Sequence, residues 1–247
     1  MDQHPQDNNP NETQPPQIVN TPPPPPQPAS WTASDTWLGL GILILVAVGY
    51  VFSLSLLEQT QGMNIFYVAT FEFIMLIPIA VIFLWRKVSW KELGFRTFST
   101  AALSLGCGLL VAVYVLVIIN NLIMVALGVA TQADVISEIL GEIDSPYLFA
   151  FTTAIVAPIT EELFFRGFLF KGLREKYSWI NALMFSSIIF ALFHGQLATL
   201  LPTFLLGALF AYMYQRTESV YPGMILHFAV NAMGAMVLLF ANQAGIF

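Results

Sequence analysis

Apolar residues run through this chain in seven stretches long enough to cross a bilayer, at residues 37–57, 64–85, 100–127, 147–170, 179–194, 198–214 and 220–241. A crossing helix takes roughly 20 such residues, so the pattern predicts an all-α, polytopic membrane helix bundle of about seven transmembrane helices. The third stretch is long enough to hide an eighth. The fifth and sixth are short and meet around Gly195. Between the stretches, Val135, Ile136, Ile139, Leu140 and Ile143 recur at helical spacing, which predicts a short amphipathic helix lying on the outer surface. "WKELGF" at 90–95 mixes aromatic and basic residues as a segment at headgroup level does.

Ahead of the first stretch the pattern disappears. Residues 1–36 are polar and proline-rich, with "TPPPPPQP" at 21–28. Such a segment buries too little apolar surface to fold, and its proline run favours an extended polyproline II spacer. No cationic n-region precedes the first apolar stretch, so no secretory signal is expected. The expected organisation is a disordered tail (1–36), accessory membrane helices (37–146), a core carrying the chemistry (147–241) and a short end (242–247).

Composition narrows the class. The 247 residues are 57% hydrophobic and 10% charged, against about 25% charged in soluble domains, which predicts an integral membrane protein. With only nine Lys and Arg, eight of them in short loops, and a net charge of −6, no nucleic-acid partner is expected. Eight of the nine (Arg86, Lys87, Lys91, Arg96, Lys171, Arg174, Lys176 and Arg216) fall on one side if seven helices cross. The positive-inside rule makes that side, and the N-terminus, cytoplasmic. The long polar tail and the scarcity of Lys and Arg point to a bacterial plasma membrane. Cys107 is the single cysteine, so the monomer has no disulfide framework, and it reads as a small residue at a helix contact.

The ninth cation lies inside the fourth stretch, in "PITEELFFRGFLF" at 158–170. Three ionised groups facing lipid would cost roughly 8 to 10 kcal/mol. Glu162 and Arg166 are four apart, so they share a helix face and can pair. Glu161 is turned about 100° away from Glu162. That leaves Glu161 the less neutralised carboxylate, free for other work, with Glu162 and Arg166 as its support.

Polar partners follow. His194 ends "FALFH" (190–194) and His227 opens "HFAVN" (227–231), which also presents Asn231 on the same face. At 1.5 Å per residue, Glu161, His194 and His227 lie about 15, 20 and 10 Å from the cytoplasmic ends of their helices, near enough to share an interior cavity. Glu72, Asn120 and Asn121 read instead as helix-to-helix polar contacts. A carboxylate beside a histidine deprotonates water as a general base, and a His–Asn donor pair stabilises an oxyanion. Together they suit amide hydrolysis. HExxH, GxSxG and GxGD signatures are absent.

These three motifs, EExxxR, FxxxH and HxxxN in order within successive apolar stretches, resemble the CPBP family of CAAX proteases and bacteriocin-processing proteins (also called ABI), similar to type II CAAX prenyl endopeptidases. The likeness covers about residues 147–241, with "LGF" at 93–95 a weaker addition. It implies an intramembrane endopeptidase with a conical, cytosol-facing cavity. Glu161 and His194 would activate water, His227 and Asn231 would line the oxyanion site, and Glu162 with Arg166 would hold the arrangement. The implied substrate is a protein or peptide, prenylated near its C-terminus in eukaryotic relatives. The family is called a metalloprotease family, which makes Glu161, His194 and His227 candidate zinc ligands. A glutamate–histidine pair needs no metal and Asn231 is an unusual zinc ligand, so a metal-independent mechanism is expected, with zinc as the alternative. The competing readings are a non-catalytic scaffold or bacteriocin immunity protein of the same fold, and a transporter.

Overall fold

A computed structural model describes residues 28–61, 65–134 and 145–244. Its helices are α1 (Ala33–Gln61), α2 (Ile65–Ile74), α3 (Leu76–Arg86), α4 (Thr100–Ala126), α5 (Pro146–Leu173), α6 (Trp179–Phe193), α7 (Leu200–Thr217) and α8 (Tyr221–Gln243). The described residues form no strands. With α2 and α3 forming one interrupted span, the chain is the helical membrane bundle that the apolar pattern predicts. Five spans, α1, α2–α3, α4, α5 and the one ending with α7, are long and apolar enough to cross on their own, and α6 is a shorter apolar helix. The stretch 135–143, expected to be amphipathic, lies outside the described residues.

Local chemistry sets the boundaries. α1 begins at Ala33, earlier than the expected residue 37, because Thr32 and Asp35 cap it reciprocally: Thr32 N donates to Asp35 Oδ2 (2.9 Å) and Asp35 N to Thr32 Oγ1 (3.1 Å). Asp35 also accepts Arg86 Nη2 at 2.7 Å, which fixes the start of α1 to the end of α3. The break between α2 and α3 falls at Met75, where Pro78 denies the carbonyl of Ile74 its donor. α4 runs unbroken, so no eighth span is hidden in it. Cys107 is exposed on α4, not at a helix contact; the contact on that turn is made by Gly106, which leaves no room for a side chain beside Leu226 and Met213.

The segments carrying the eight cations gather at one end of the bundle. There Ala29 N donates to Glu175 (2.7 Å), Lys171 Nζ to the carbonyl of Glu92 (2.7 Å) and Ser219 Oγ to that of Arg96 (2.6 Å), while Arg174 pairs with Glu218 (2.6 Å). Trp31, 1% exposed, stacks on Phe168 and tilts against Phe83. Within residues 90–95, Trp90–Leu93 forms a short 3-10 turn clamped to the core: Tyr214 donates to the Leu93 carbonyl, and Gly167 packs against Leu93. Gly94 (φ 104°) is needed twice over, for its left-handed backbone and because a Cβ would strike Tyr214 and the Glu218 carbonyl.

α5 is the irregular helix. It carries two π-register stretches, Thr152–Val156 and Leu163–Phe170, on either side of Ala157–Glu162. Such bulges recur at functional sites. Here one has a cause in sequence: Ala157 N–H reaches back five residues to the Thr152 carbonyl, and Pro158 has no N–H for the carbonyl of Thr153.

Candidate functional site

The two bulges of α5 bracket the turn that presents both glutamates to the interior. Glu162 is fully buried. Its Oε1 lies 2.8 Å from Arg166 Nη1, a charge contact whose N–H direction misses the oxygen, and accepts His227 Nδ1 at 3.3 Å. The other face of the carboxylate rests on the backbone of α8 at Gly223, where any Cβ would collide with Oε2. Arg166, 1% exposed, donates from Nη2 to the carbonyl of Gly207 on α7 (3.2 Å). Its guanidinium lies 4.4 Å from the Phe190 ring, 5.2 Å from Phe210 and 5.7 Å from Phe165. Weakly hydrated and planar, a guanidinium suits such an aromatic cage.

His227 is held on three sides. Phe210 stacks on it (4.9 Å, 26°), Phe190 meets it edge-on (5.9 Å), and Glu162 takes its Nδ1. An ionised carboxylate only accepts, so Nδ1 is the donor and the neutral ring keeps its lone pair on Nε2. That nitrogen lies 3.7 Å from Glu161 Oε2, which has no hydrogen-bond partner among the described residues. The gap is too wide for a direct bond.

The other predicted residues stand further out. His194 caps the C-terminus of α6, half-buried and edge-on to Phe190 (4.7 Å). Its Nδ1 faces the carbonyl of Phe190 at 2.9 Å and must donate there, leaving Nε2 free. Among the described residues no hydrogen bond or ion pair joins it to Glu161. Asn231, one turn beyond His227, donates from Nδ2 to the Thr153 carbonyl at 2.8 Å. This is the carbonyl that Pro158 leaves without a donor. The structure thus gathers Glu161, Glu162, Arg166 and His227, with His194 linked through Phe190 and Asn231 through the bulge of α5.

Three contributors were not read from the sequence as part of the site. Phe190 and Phe210 are ordinary apolar residues within apolar helices; the FxxxH spacing was the signal for the first, and nothing marked the second. Glu72, read as a helix contact, accepts Thr160 Oγ1 at 3.5 Å, next to Glu161 on α5. Of the two asparagines of α4, Asn120 is buried and bonds across to Ala198, while Asn121 is exposed.

A catalytic zinc takes three protein ligands. Among the described residues no three His, Cys, Asp or Glu side chains converge to hold an ion. Glu162 is engaged by Arg166 and His227, and His194 stands apart from Glu161. The residues as placed do not fit a zinc site.

Residues 143–233 match the model of the family described as "Type II CAAX prenyl endopeptidase Rce1-like". Among curated proteins, "Putative membrane peptidase YdiL" of Bacillus subtilis strain 168 is 33% identical over 104 residues, covering 42% of this chain and 43% of that protein. "UPF0177 protein YxdF" of Lactococcus lactis subsp. lactis strain IL1403 is 32% identical over 104 residues, covering 41% and 56%. The chain thus spans about half the length of the curated relatives it matches. No solved structure matches it. The family resemblance carried by the three motifs is borne out over this region.

Proposed function

We propose that the protein is an intramembrane endopeptidase that hydrolyses a peptide bond with a water held between Glu161 and His227. The observation that carries this reading is the facing pair Glu161 Oε2 and His227 Nε2, 3.7 Å apart. Both are acceptors once Nδ1 is committed to Glu162, and two facing acceptors are satisfied by a guest that donates twice. Water does so and keeps its lone pairs free for attack. Glu161 takes the water's proton as the oxygen adds to the carbonyl carbon. Glu162 orients His227 and stabilises it when charged, and Arg166 holds Glu162. Glu161, protonated in the attack step, returns the proton to the departing amine, the free Nε2 of His194 accepts an N–H of the substrate, and the second amide N–H of Asn231 faces the developing oxyanion.

No metal enters these steps. The like partner that the resemblance gives Glu161 is His194; the geometry supports His227 in that place. A lipid-bearing substrate is favoured by an apolar recess of about 210 Å³ between α5 and α8, lined by Ile155, Pro158, Ile159, Met224, Ile225 and Phe228. It flanks the glutamate turn on one helix and His227 on the other. The basic end of the bundle, with the N-terminus, is cytoplasmic, and the membrane is a bacterial plasma membrane.

The test is cleavage of a farnesylated C-terminal peptide by purified protein in detergent, with and without a chelator. Wild type cleaves in both conditions and Glu161→Ala in neither. Loss of wild-type cleavage on chelation would replace this mechanism with a metal-dependent one, and equal cleavage by Glu161→Ala would remove Glu161 from the chemistry.

A further inference from the structure

α4 packs one face on α7 and α8 through half-buried Leu103, Leu110 and Val113 and exposes most of the rest, with Gly106 and Asn120 its fully buried residues. Gly106 is explained by close packing. Asn120 is different: a buried amide on a lipid-facing helix is costly unless a partner compensates it. At 6% exposure, its Nδ2 donates at 2.8 Å to the carbonyl of Ala198, itself 3% exposed.

Ala198 belongs to the break between α6 and α7. The chain leaves α6 at His194, reverses through Gly195 (φ 66°) and makes a single 3-10 turn at Leu197–Thr199. Irregular backbone at membrane depth persists only where its polar groups find partners inside the protein. Several are local. His194 N donates to the Ala191 carbonyl, Gly195 N to that of Leu192, and Thr199 N and Oγ1 both to that of Gln196. The bond to Ala198 is supplied from 78 residues earlier in the chain. It fastens the far end of the turn whose near end is His194.

We propose that Asn120 is a positioning residue for His194, holding the 194–199 turn so that the imidazole keeps its Nδ1 on the Phe190 carbonyl and its Nε2 free. The helix that looks least functional would then set the geometry of a functional side chain. The consequence for catalysis rests on the peptidase reading above; the consequence for the turn does not.

The experiment uses the full chain in detergent, comparing wild type, Asn120→Ala and Asn120→Ser, which keeps a polar group too short to reach the Ala198 carbonyl, with Asn121→Ala as the lipid-facing control. Hydrogen exchange followed by mass spectrometry reads residues 195–199. Nitrogen-15 imidazole spectra read His194, one of three histidines, assigned by its absence in His194→Gln. Exchange in the turn rises at least about tenfold in both Asn120 variants, and the His194 signal shifts from one tautomer to a mixture. The kcat on the farnesylated peptide falls about 10- to 100-fold with KM unchanged, the scale expected for a small misplacement. Asn121→Ala changes none of these. A lower melting temperature with unaltered exchange and an unaltered His194 signal would overturn the proposal and reduce Asn120 to a packing contact. Faster exchange and a mixed tautomer in a protein whose wild type cleaves nothing would support the positioning role and refute the peptidase.

Discussion

α4 and α5 are both long apolar helices, and they use a membrane in opposite ways. In its most apolar stretch 6% of α4 is buried inside the protein; the corresponding figure for α5 is 61%. α4 is regular and offers lipid a continuous aliphatic surface. α5 is bent out of register twice and turns its charges inward. Composition hardly separates them, since Phe and Leu dominate around the glutamates as much as aliphatics dominate α4. What separates them is where the polar groups find partners. On α5 they come as a set that meets inside the protein: Glu162 with Arg166 and His227, and the freed Thr153 carbonyl with Asn231.

The largest difference between the helices is expected where that set is broken. Glu162→Ala leaves Arg166 buried without its carboxylate, and removing one partner of a buried pair costs about 3–5 kcal/mol. The phenylalanine cage and the Gly207 carbonyl are neutral and do not replace the lost charge. Glu161→Ala removes a carboxylate with no hydrogen bond to the described residues, so it abolishes cleavage while leaving the melting temperature in detergent close to wild type. If Glu161→Ala destabilised more than Glu162→Ala, the division of labour between the two glutamates would be reversed.

Next in size is Gly223→Ala. Its new methyl would fall on Glu162 Oε2, a carboxylate already fixed by two partners. Overpacking of this kind costs about 1–3 kcal/mol. Because the displaced group orients His227, cleavage should fall more steeply than stability. A melting curve and an activity assay on the same preparation separate the two effects. Asn231→Ala follows. It leaves the Thr153 carbonyl without a donor, a loss at the lower end of about 1–3 kcal/mol because the site is only half-buried. A loss below the error of the melt would mean that the bulge of α5 does not depend on this bond.

Much of this was legible beforehand, for physical reasons. Bilayer thickness makes crossing helices visible as apolar runs, and the expense of ions in hydrocarbon makes Glu161, Glu162 and Arg166 conspicuous. The spacing of four predicted the Glu162–Arg166 pair directly. Less legible was which histidine would face Glu161. Depth estimates placed His194 and His227 together, but the choice depends on helix rotation, and the π-register of α5 shifts rotation without leaving a pattern in hydropathy. Pro158 was visible; that Asn231 would serve the carbonyl it strands was not. The early start of α1 was written in Thr32 and Asp35, a capping pair masked by the polar tail beside it. Phe210 could not have been singled out, because an aromatic residue that stacks on a histidine looks in sequence like any other phenylalanine in a membrane helix.

The smallest effect sharpens the comparison by changing sign. Gly108 lies inside α4, and a Cβ built on it meets nothing within 4 Å. With no neighbour to displace, Gly108→Ala acts through the backbone alone, and alanine is favoured over glycine within a helix by about 0.5–1 kcal/mol. The melting temperature should therefore rise slightly, with cleavage unchanged. The same chemical change would then stabilise α4 and destabilise α8, one methyl entering lipid and the other a buried carboxylate. A fall in stability for Gly108→Ala would show that this face of α4 is covered by something other than lipid, and a second copy of the chain would be the first occupant to look for by cross-linking through the neighbouring exposed Cys107.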